Sequence, residues 1–450
     1  MKVLYLSFEV APIYKTGGLG DVAGSLPKAL KKIGVDMSVS MPLYKEIQNA
    51  SYLPGTKIPL IMCGLPYFST TYLSPEGSKD MHFALMYAQY AQLVLDTVKK
   101  QGQKYDIIHL NDWHPSFVPF LLKTQKDDFF ASTKTILTIH NPAYQGSFPV
   151  SFFSHNKETA QLIDMLSVSD DKVNFLATGI TYADWITTVS PHFAQELESG
   201  KNHFGLHKIL HKRRRQFGGI LNGIDYDLFN RASDQYIHKS YGVDDVAQGK
   251  MKNKVWLQKK LKLDANPACA LFGVVSRLDR QKGFDILAQI MKSLVKQDVQ
   301  FVVQGTGDPK ITKLLERAAK MHKGKVLFVN EFNEELAHQI YAASDFFLIP
   351  SVFEPCGLTQ MIAMTYGAIP IAANVGGLHD TITDGQTGFL FKKHTVADFL
   401  EACERALDYW HDPVALHYIR QRCLKQDFSW DKSAKEYKRL YKKVLQKKDI

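Results

Sequence analysis

A chain of 450 residues is too long for one core and predicts two or three domains of roughly 100–200 residues each. Its 45% apolar and 22% charged residues are ordinary for a soluble globular protein, and no run approaches the ~20 apolar residues of a membrane helix. The net charge of +10 arises among 45 interspersed acidic residues with no nucleic-acid motif, so it predicts a solvated basic face and neither a nucleic-acid nor a membrane partner.

The five cysteines, Cys63, Cys269, Cys356, Cys403 and Cys423, are odd in number, widely spaced and without a CxxC pair. That pattern predicts a reducing, cytoplasmic setting and argues against structural zinc or a disulfide framework. The opening residues MKVLYLSFEV lack a small-residue cleavage site and read as a first strand.

Val3–Phe8 is short, apolar and followed by a glycine-rich loop, Lys15-Thr16-Gly17-Gly18-Leu19-Gly20-Asp21. Val22, Leu26, Leu30 and Ile33 then mark one face of a helix that Gly34 ends. The loop is neither GxGxxG nor GxxxxGK[ST], so neither of those phosphate-binding mechanisms can be claimed. Its glycines still permit close approach of a ligand to the backbone, and Lys15 brings a cation. Val35–Val39 reads as a second strand. The alternation in Phe83-Ala84-Leu85-Met86-Tyr87 suggests a further strand, with a helix near 91–100.

Three strands with polar tips follow. Ile107–Leu110 leads into Asn111-Asp112-Trp113-His114, Thr135–Ile139 into His140-Asn141, and Trp185–Val189 into Ser190-Pro191-His192. Ligands of open parallel sheets bind at that strand edge. One such histidine is ordinarily structural; three strand ends on one sheet indicate a site. The densest basic cluster, Lys212-Arg213-Arg214-Arg215, reads as solvated, and Gly218–Asp225 as a candidate hinge.

After a helix over Lys250–Leu263, a second strand–helix series begins. Its strands are Ala270–Val275, Gln300–Val303, Val326–Val329, Asp345–Ile349 and Ile369–Ala372, spaced as in a second doubly wound sheet. Arg277 and Lys282 follow the first of these, where two cations could converge on a diphosphate or pair with Asp279 and Asp285. Each ion pairing at ~4 Å and an effective dielectric near 20 is worth about 4 kcal/mol before desolvation. Gly305-Thr306-Gly307-Asp308 reads as a close-approach turn.

The stretch after Asp345–Ile349 carries most of the functional reading. Glu354 stands on a loop past a buried strand, then come Pro355, Cys356, Gly357 and Leu358, and Thr359 opens a helix. N–H groups at such a helix start suit a phosphate, and the carboxylate suits hydroxyls. The alternative is an ordinary strand–loop–helix turn with a capping glutamate. From Phe428 the tail turns helical, and its apolar residues predict a return to the first domain.

In order, the stretches at Lys15–Leu19, Asn111–His114, Ile139–Asn141 with Ala143–Gly146, Thr187–Pro191, Gly219–Asp225, Ser276–Leu278 with Gln281–Gly283, and Phe353–Gln360 strongly resemble the bacterial glycogen synthases and plant starch synthases. The resemblance runs to about residue 390. It implies a GT-B fold, an α/β architecture of two Rossmann-like doubly wound domains facing across a cleft. The implied layout is 1–217 for the acceptor domain, 218–228 for a hinge, 229–428 for the nucleotide-sugar domain and 429–450 for a returning helix.

The implied reaction is transfer of glucose from ADP-glucose to the non-reducing end of an α-1,4-glucan or malto-oligosaccharide, with retention, no obligatory metal and no cofactor. Carried over by position, Glu354, His140 and Asp112 serve catalysis. Lys15, Gly18, Asp21, Asn222, Arg277, Lys282, Cys356, Gly357, Leu358 and Thr359 serve substrate binding. Two positions depart from patterns seen among such enzymes: Ile362 stands where many have a second glutamate, and Ala177 where a lysine is common. The alternatives are a related transferase using UDP-glucose, or an inactive glucan-binding scaffold.

Overall fold

Short apolar runs bounded by polar or glycine residues become the strands of two parallel sheets. The computed structural model describes residues 1–66, 68, 81–154, 163–201 and 204–446. It divides into one unit over Met1–Gly223 plus the segment from Trp430 on, and another over Ile224–Ser429.

The first unit carries β1 (Lys2–Leu6), β2 (Asp36–Pro42), β3 (Leu60–Cys63), β4 (Ile107–Asn111) and β5 (Lys134–Ile139). Next come three short antiparallel strands, β6 (Ser147–Pro149), β7 (Val168–Ser169) and β8 (Lys172–Asn174), then β9 (Trp185–Thr188) and β10 (Phe217–Gly219). The main sheet is parallel, in the order β10-β9-β5-β4-β1-β2-β3. The chain therefore reverses its direction of travel across the sheet between β1 and β4, the topological switch point at which such sheets bind ligands. Gly218 and Gly219 lie inside β10, so the glycine stretch read as a hinge begins within the sheet.

Residues 83–87 are not a strand. They belong to the helix Met81–Lys100. Ala84, Tyr87, Ala91, Val94 and Val98 are its buried face, at helical spacing, and the contiguous apolar run Phe83–Ala88 hides that period. The basic cluster is not uniformly solvated either. The Arg213 guanidinium donates to the carbonyls of Ile180, Thr181 and Ala183, closing the end of the helix Phe175–Tyr182.

The tail helix Trp430–Gln446 packs on the helix Gly18–Lys32. Trp430, Tyr437, Leu440, Tyr441 and Val444 are buried, and the Tyr441 hydroxyl lies 2.7 Å from Nδ1 of His109 on β4. An exposed ion pair, Lys32–Asp431 at 2.8 Å, spans the same two helices.

The second unit carries β11 (Ala270–Val275), β12 (Val299–Gln304), β13 (Val326–Val329), β14 (Phe346–Ile349), β15 (Ile369–Ala373) and β16 (Phe389–Phe391). Their parallel order is β13-β12-β11-β14-β15-β16, so the switch point lies between β11 and β14. The start of β14 is fixed by charge. The buried Asp345 carboxylate receives Lys254 Nζ at 2.9 Å and Arg420 at 2.7 Å. Removing water from such a group is tolerable only with partners this close.

Candidate active site

The loops after β11 and β14 are joined side chain to side chain. Asp279 caps the turn Arg280–Lys282 and turns Lys282 towards the β14 loop. Lys282 Nζ then meets Glu354 Oε2 at 2.6 Å, and the Ser351 hydroxyl donates to the same oxygen at 2.9 Å. Glu354 is 6% exposed. Both donors share Oε2, so Oε1 keeps its lone pairs for a hydroxyl. An ammonium has three N–H donors, so Lys282 keeps two beyond the one given to Glu354. Arg277 does not converge on Lys282 here; it is 55% exposed, 3.8 Å from Asp279. The pairing of Lys282 with Asp285 that the sequence allowed is replaced by the one with Glu354.

Gln281 completes the seam. Its Nε2 donates to the Phe353 carbonyl at 3.1 Å, and its carbonyl accepts the Val352 N–H at 2.8 Å. Next to it Gly283 sits at φ +68, where an added Cβ would stand 1.8 Å from the Pro350 oxygen. No other residue type fits that seam. A small pocket at the strand ends is lined by Ser276, Lys282, Ser351 and Thr359.

Beyond Glu354 the chain turns at Gly357, φ +73, and Thr359–Thr365 forms a short helix with Leu358 at its N-cap. The turn is shaped by Gln360, whose Nε2 donates to the carbonyls of Cys356 and Gly357 and to the Thr381 hydroxyl. Cys356 is buried against Gly377, where a Cβ would stand 2.1 Å from the Cys356 oxygen.

In the first unit the segments after β1, β4, β5 and β10 carry the other predicted residues. Asp112 takes φ +60, a left-handed conformation an aspartate tolerates. This aims its carboxylate at two backbone donors, the N–H of His140 at 2.7 Å and of Asn141 at 3.2 Å. Burial raises the Asp112 carboxyl to about 7; those two hydrogen bonds oppose the rise and the Glu9 charge adds to it.

Asn111 Nδ2 donates to the Leu6 carbonyl, which leaves its Oδ1 to accept from His140 Nε2 at 2.9 Å. The His140 proton therefore sits on Nε2, and burial lowers this imidazole to about 3, so it is neutral at physiological pH. The two residues after Asp112 are buried aromatic rings. Trp113 stacks on His114 with centroids 4.0 Å apart, and Gly146, φ +61, passes so close that a Cβ would meet the indole at 2.0 Å.

Lys15 pairs with Asp21 at 3.0 Å, and Gly18 is the first residue of its helix. Asn222 is buried, and its Oδ1 has no hydrogen-bond partner among the described residues. The predicted residues thus stand in two sets, one beside the switch point of each unit, except Asn222, which follows the edge strand β10. Sequence alone gave no role to Glu9, Ser351, Gln281 or Gln360, which hold these residues in place. Phe332 is 78% exposed on the loop after β13. Among the described residues no group of three or more His, Cys, Asp or Glu could hold a metal ion, and no helix is long and apolar enough to cross a membrane.

Residues 2–212 match the family model of the starch synthase catalytic domain, and residues 270–409 that of glycosyl transferases group 1. The chain is 39% identical to the glycogen synthase of Geotalea daltonii over 100% of both chains, and 38% identical to that of Thermotoga petrophila over 99% of both. This chain belongs to the glycogen synthase family. The catalytic domain of starch synthase IV from Arabidopsis thaliana, solved with ADP and acarbose, superimposes with a TM-score of 0.89 at 32% identity, covering 99% of each chain. Like other members of the glycogen synthase family, the chain is a GT-B glycosyltransferase with two parallel-sheet α/β units.

Proposed function

We propose that this chain transfers glucose from ADP-glucose to the non-reducing end of an α-1,4-glucan, with retention of configuration and release of ADP. The observation that carries the reading is the Lys282–Glu354 contact at the β11/β14 switch point. It sets a cation for phosphate beside a carboxylate for sugar hydroxyls, as a sugar nucleotide requires. The ADP and acarbose held by the Arabidopsis starch synthase IV structure support the same nucleotide and an α-glucan acceptor. We further assign a hinge within 218–228, past the end of β10 at Gly219, and the cytoplasm as the setting.

The proposed roles follow from chemistry. Arg277, Lys282 and Lys15 neutralise charge on the diphosphate, helped by N–H groups at Gly18 and at Gly357, Leu358 and Thr359, with Asp21 holding Lys15 until ADP arrives. Glu354, Cys356, Asn222, Asp112 and His140 contact the glucosyl unit. Phe332, an exposed ring at the carboxyl edge of the sheet, offers a stacking face for the base.

A double displacement needs a carboxylate on the face opposite the leaving group. The family position for that face is His140, which offers a backbone carbonyl and a neutral imidazole. Front-face attack is therefore favoured. The C1–O bond to the β-phosphate breaks with its electron pair on the phosphate oxygen. The acceptor O4 attacks C1 from the side that ADP vacates, and its proton passes to the leaving phosphate. The protein supplies charge stabilisation fixed in advance.

The test is chain extension of a short malto-oligosaccharide with ADP-glucose, run beside UDP-glucose. Extension preferring ADP-glucose is expected. Extension with UDP-glucose alone, or none with either, overturns the reading. A trapped glucosyl–enzyme adduct overturns front-face attack.

A further inference from the structure

Glu9 stands in the turn after β1, nine-tenths buried, and its carboxylate is filled from one loop. Oε2 accepts the N–H of Thr16 at 2.8 Å and of Gly17 at 3.1 Å, and Oε1 accepts the Thr16 hydroxyl at 2.6 Å. The neck of this loop is pinched by a reciprocal backbone pair, Val10 with Tyr14, at 2.9 and 3.0 Å. Three donors on a buried carboxylate make a strong fixed clamp.

The clamp acts on the start of the helix Gly18–Lys32. Gly17 is its N-cap, in extended backbone at φ −161, and no side chain caps it. Glu9 binds just upstream, so the first helical N–H groups, which have no partner inside the helix, are left exposed to a ligand. The loop also lies hard against the first turn: a Cβ on Gly20 would stand 2.4 Å from Lys15 Cβ. The direction of the Lys15 stem is therefore set by how Thr16 and Gly17 are held.

We propose that Glu9 is a positioning residue for sugar-nucleotide binding, pinning Thr16 and Gly17 so that the Lys15 ammonium and the Gly18 N–H are presented to the diphosphate. This rests on the reading of Lys15 and Gly18 as diphosphate-binding. Glu9 itself does not touch the substrate.

The test compares the full chain with Glu9→Ala and Glu9→Gln, by ADP titration calorimetry and by KM for ADP-glucose and for malto-oligosaccharide. Glu9→Ala should weaken ADP binding and raise KM for ADP-glucose about tenfold or more, while the malto-oligosaccharide KM stays within about twofold. Glu9→Gln keeps an acceptor for the two N–H groups, and the Thr16 hydroxyl can turn to accept from the amide. It should restore ADP binding to within about threefold. Glu9→Ala binding ADP within twofold of a wild type that binds it well overturns the proposal alone. So does equal loss of both substrates, or a Glu9→Gln no better than Glu9→Ala. A wild type that binds no ADP overturns the functional reading and this proposal with it.

Discussion

At the switch point of the first unit the carboxylate, Asp112, is buried against backbone N–H groups, and burial raises it to about 7. Its neighbours His140 and His114 are neutral imidazoles lowered to about 3 by burial. At the switch point of the second unit Glu354 is equally buried, yet a lysine sits on it at 2.6 Å, and Asp345 below it carries two cations. Burial alone would push Asp345 up; Lys254 and Arg420 outweigh it and hold the carboxyl below the usual range. The same fold thus buries an acid and two imidazoles without a counterion beside one switch point, and pairs its buried carboxylates with cations at the other.

The largest expected break in this comparison is Asp345→Ala. It strands two cations in the core and should destabilise the second unit by about 3–5 kcal/mol, read by chemical denaturation. Because the Asp345 carboxyl is held low, its stabilisation is present at neutral pH and fades as pH falls below about 4.

Next is Lys282→Ala, which leaves Glu354 without its cation. The kcat/KM for ADP-glucose should fall ~10²–10³-fold, about 3–4 kcal/mol, in steady-state assays. Arg277→Ala should match it in direction with less change in stability, since Arg277 is half exposed and holds nothing buried.

Asp112→Asn sharpens the contrast. A carboxyl raised from about 4 to about 7 binds its proton more tightly folded than unfolded. Its contribution to stability is full below about pH 4 and declines as pH climbs towards 7. Asparagine keeps the acceptor and the left-handed turn, so the variant should lose that slope. It should be more stable than wild type at pH 8 by ~2 kcal/mol, with activity reduced. The lowered histidines work in the opposite sense, favouring the native state above about pH 6.5 and costing stability as pH falls from there.

The smallest effect is Asp21→Asn. The Lys15–Asp21 pair is more than a third exposed on both sides, so unfolding free energy should change by less than ~0.5 kcal/mol.

Much of the second sheet was legible in the sequence. β11 and β13 are continuous apolar runs cut by glycine or polar residues, and their limits could be read directly. The helix Met81–Lys100 was not, because contiguous apolar residues on a broad buried face hide their period. In the site, Glu354 and Asp112 declared themselves as acids past strand ends. What holds them did not. Lys282 and Glu354 stand 72 positions apart, and Gln360 reaches Thr381 from 21 away. Such pairings follow from strand order, which a motif does not encode. Glu9 carried a weak signal, a carboxylate just before a glycine loop, recognisable only once the loop is seen to fold back on it.

A crystal structure of the chain with ADP tests the central claim most directly. The diphosphate is expected within hydrogen-bonding distance of Lys282 and Arg277, at the carboxyl ends of β11 and β14. A diphosphate bound away from both residues would contradict it.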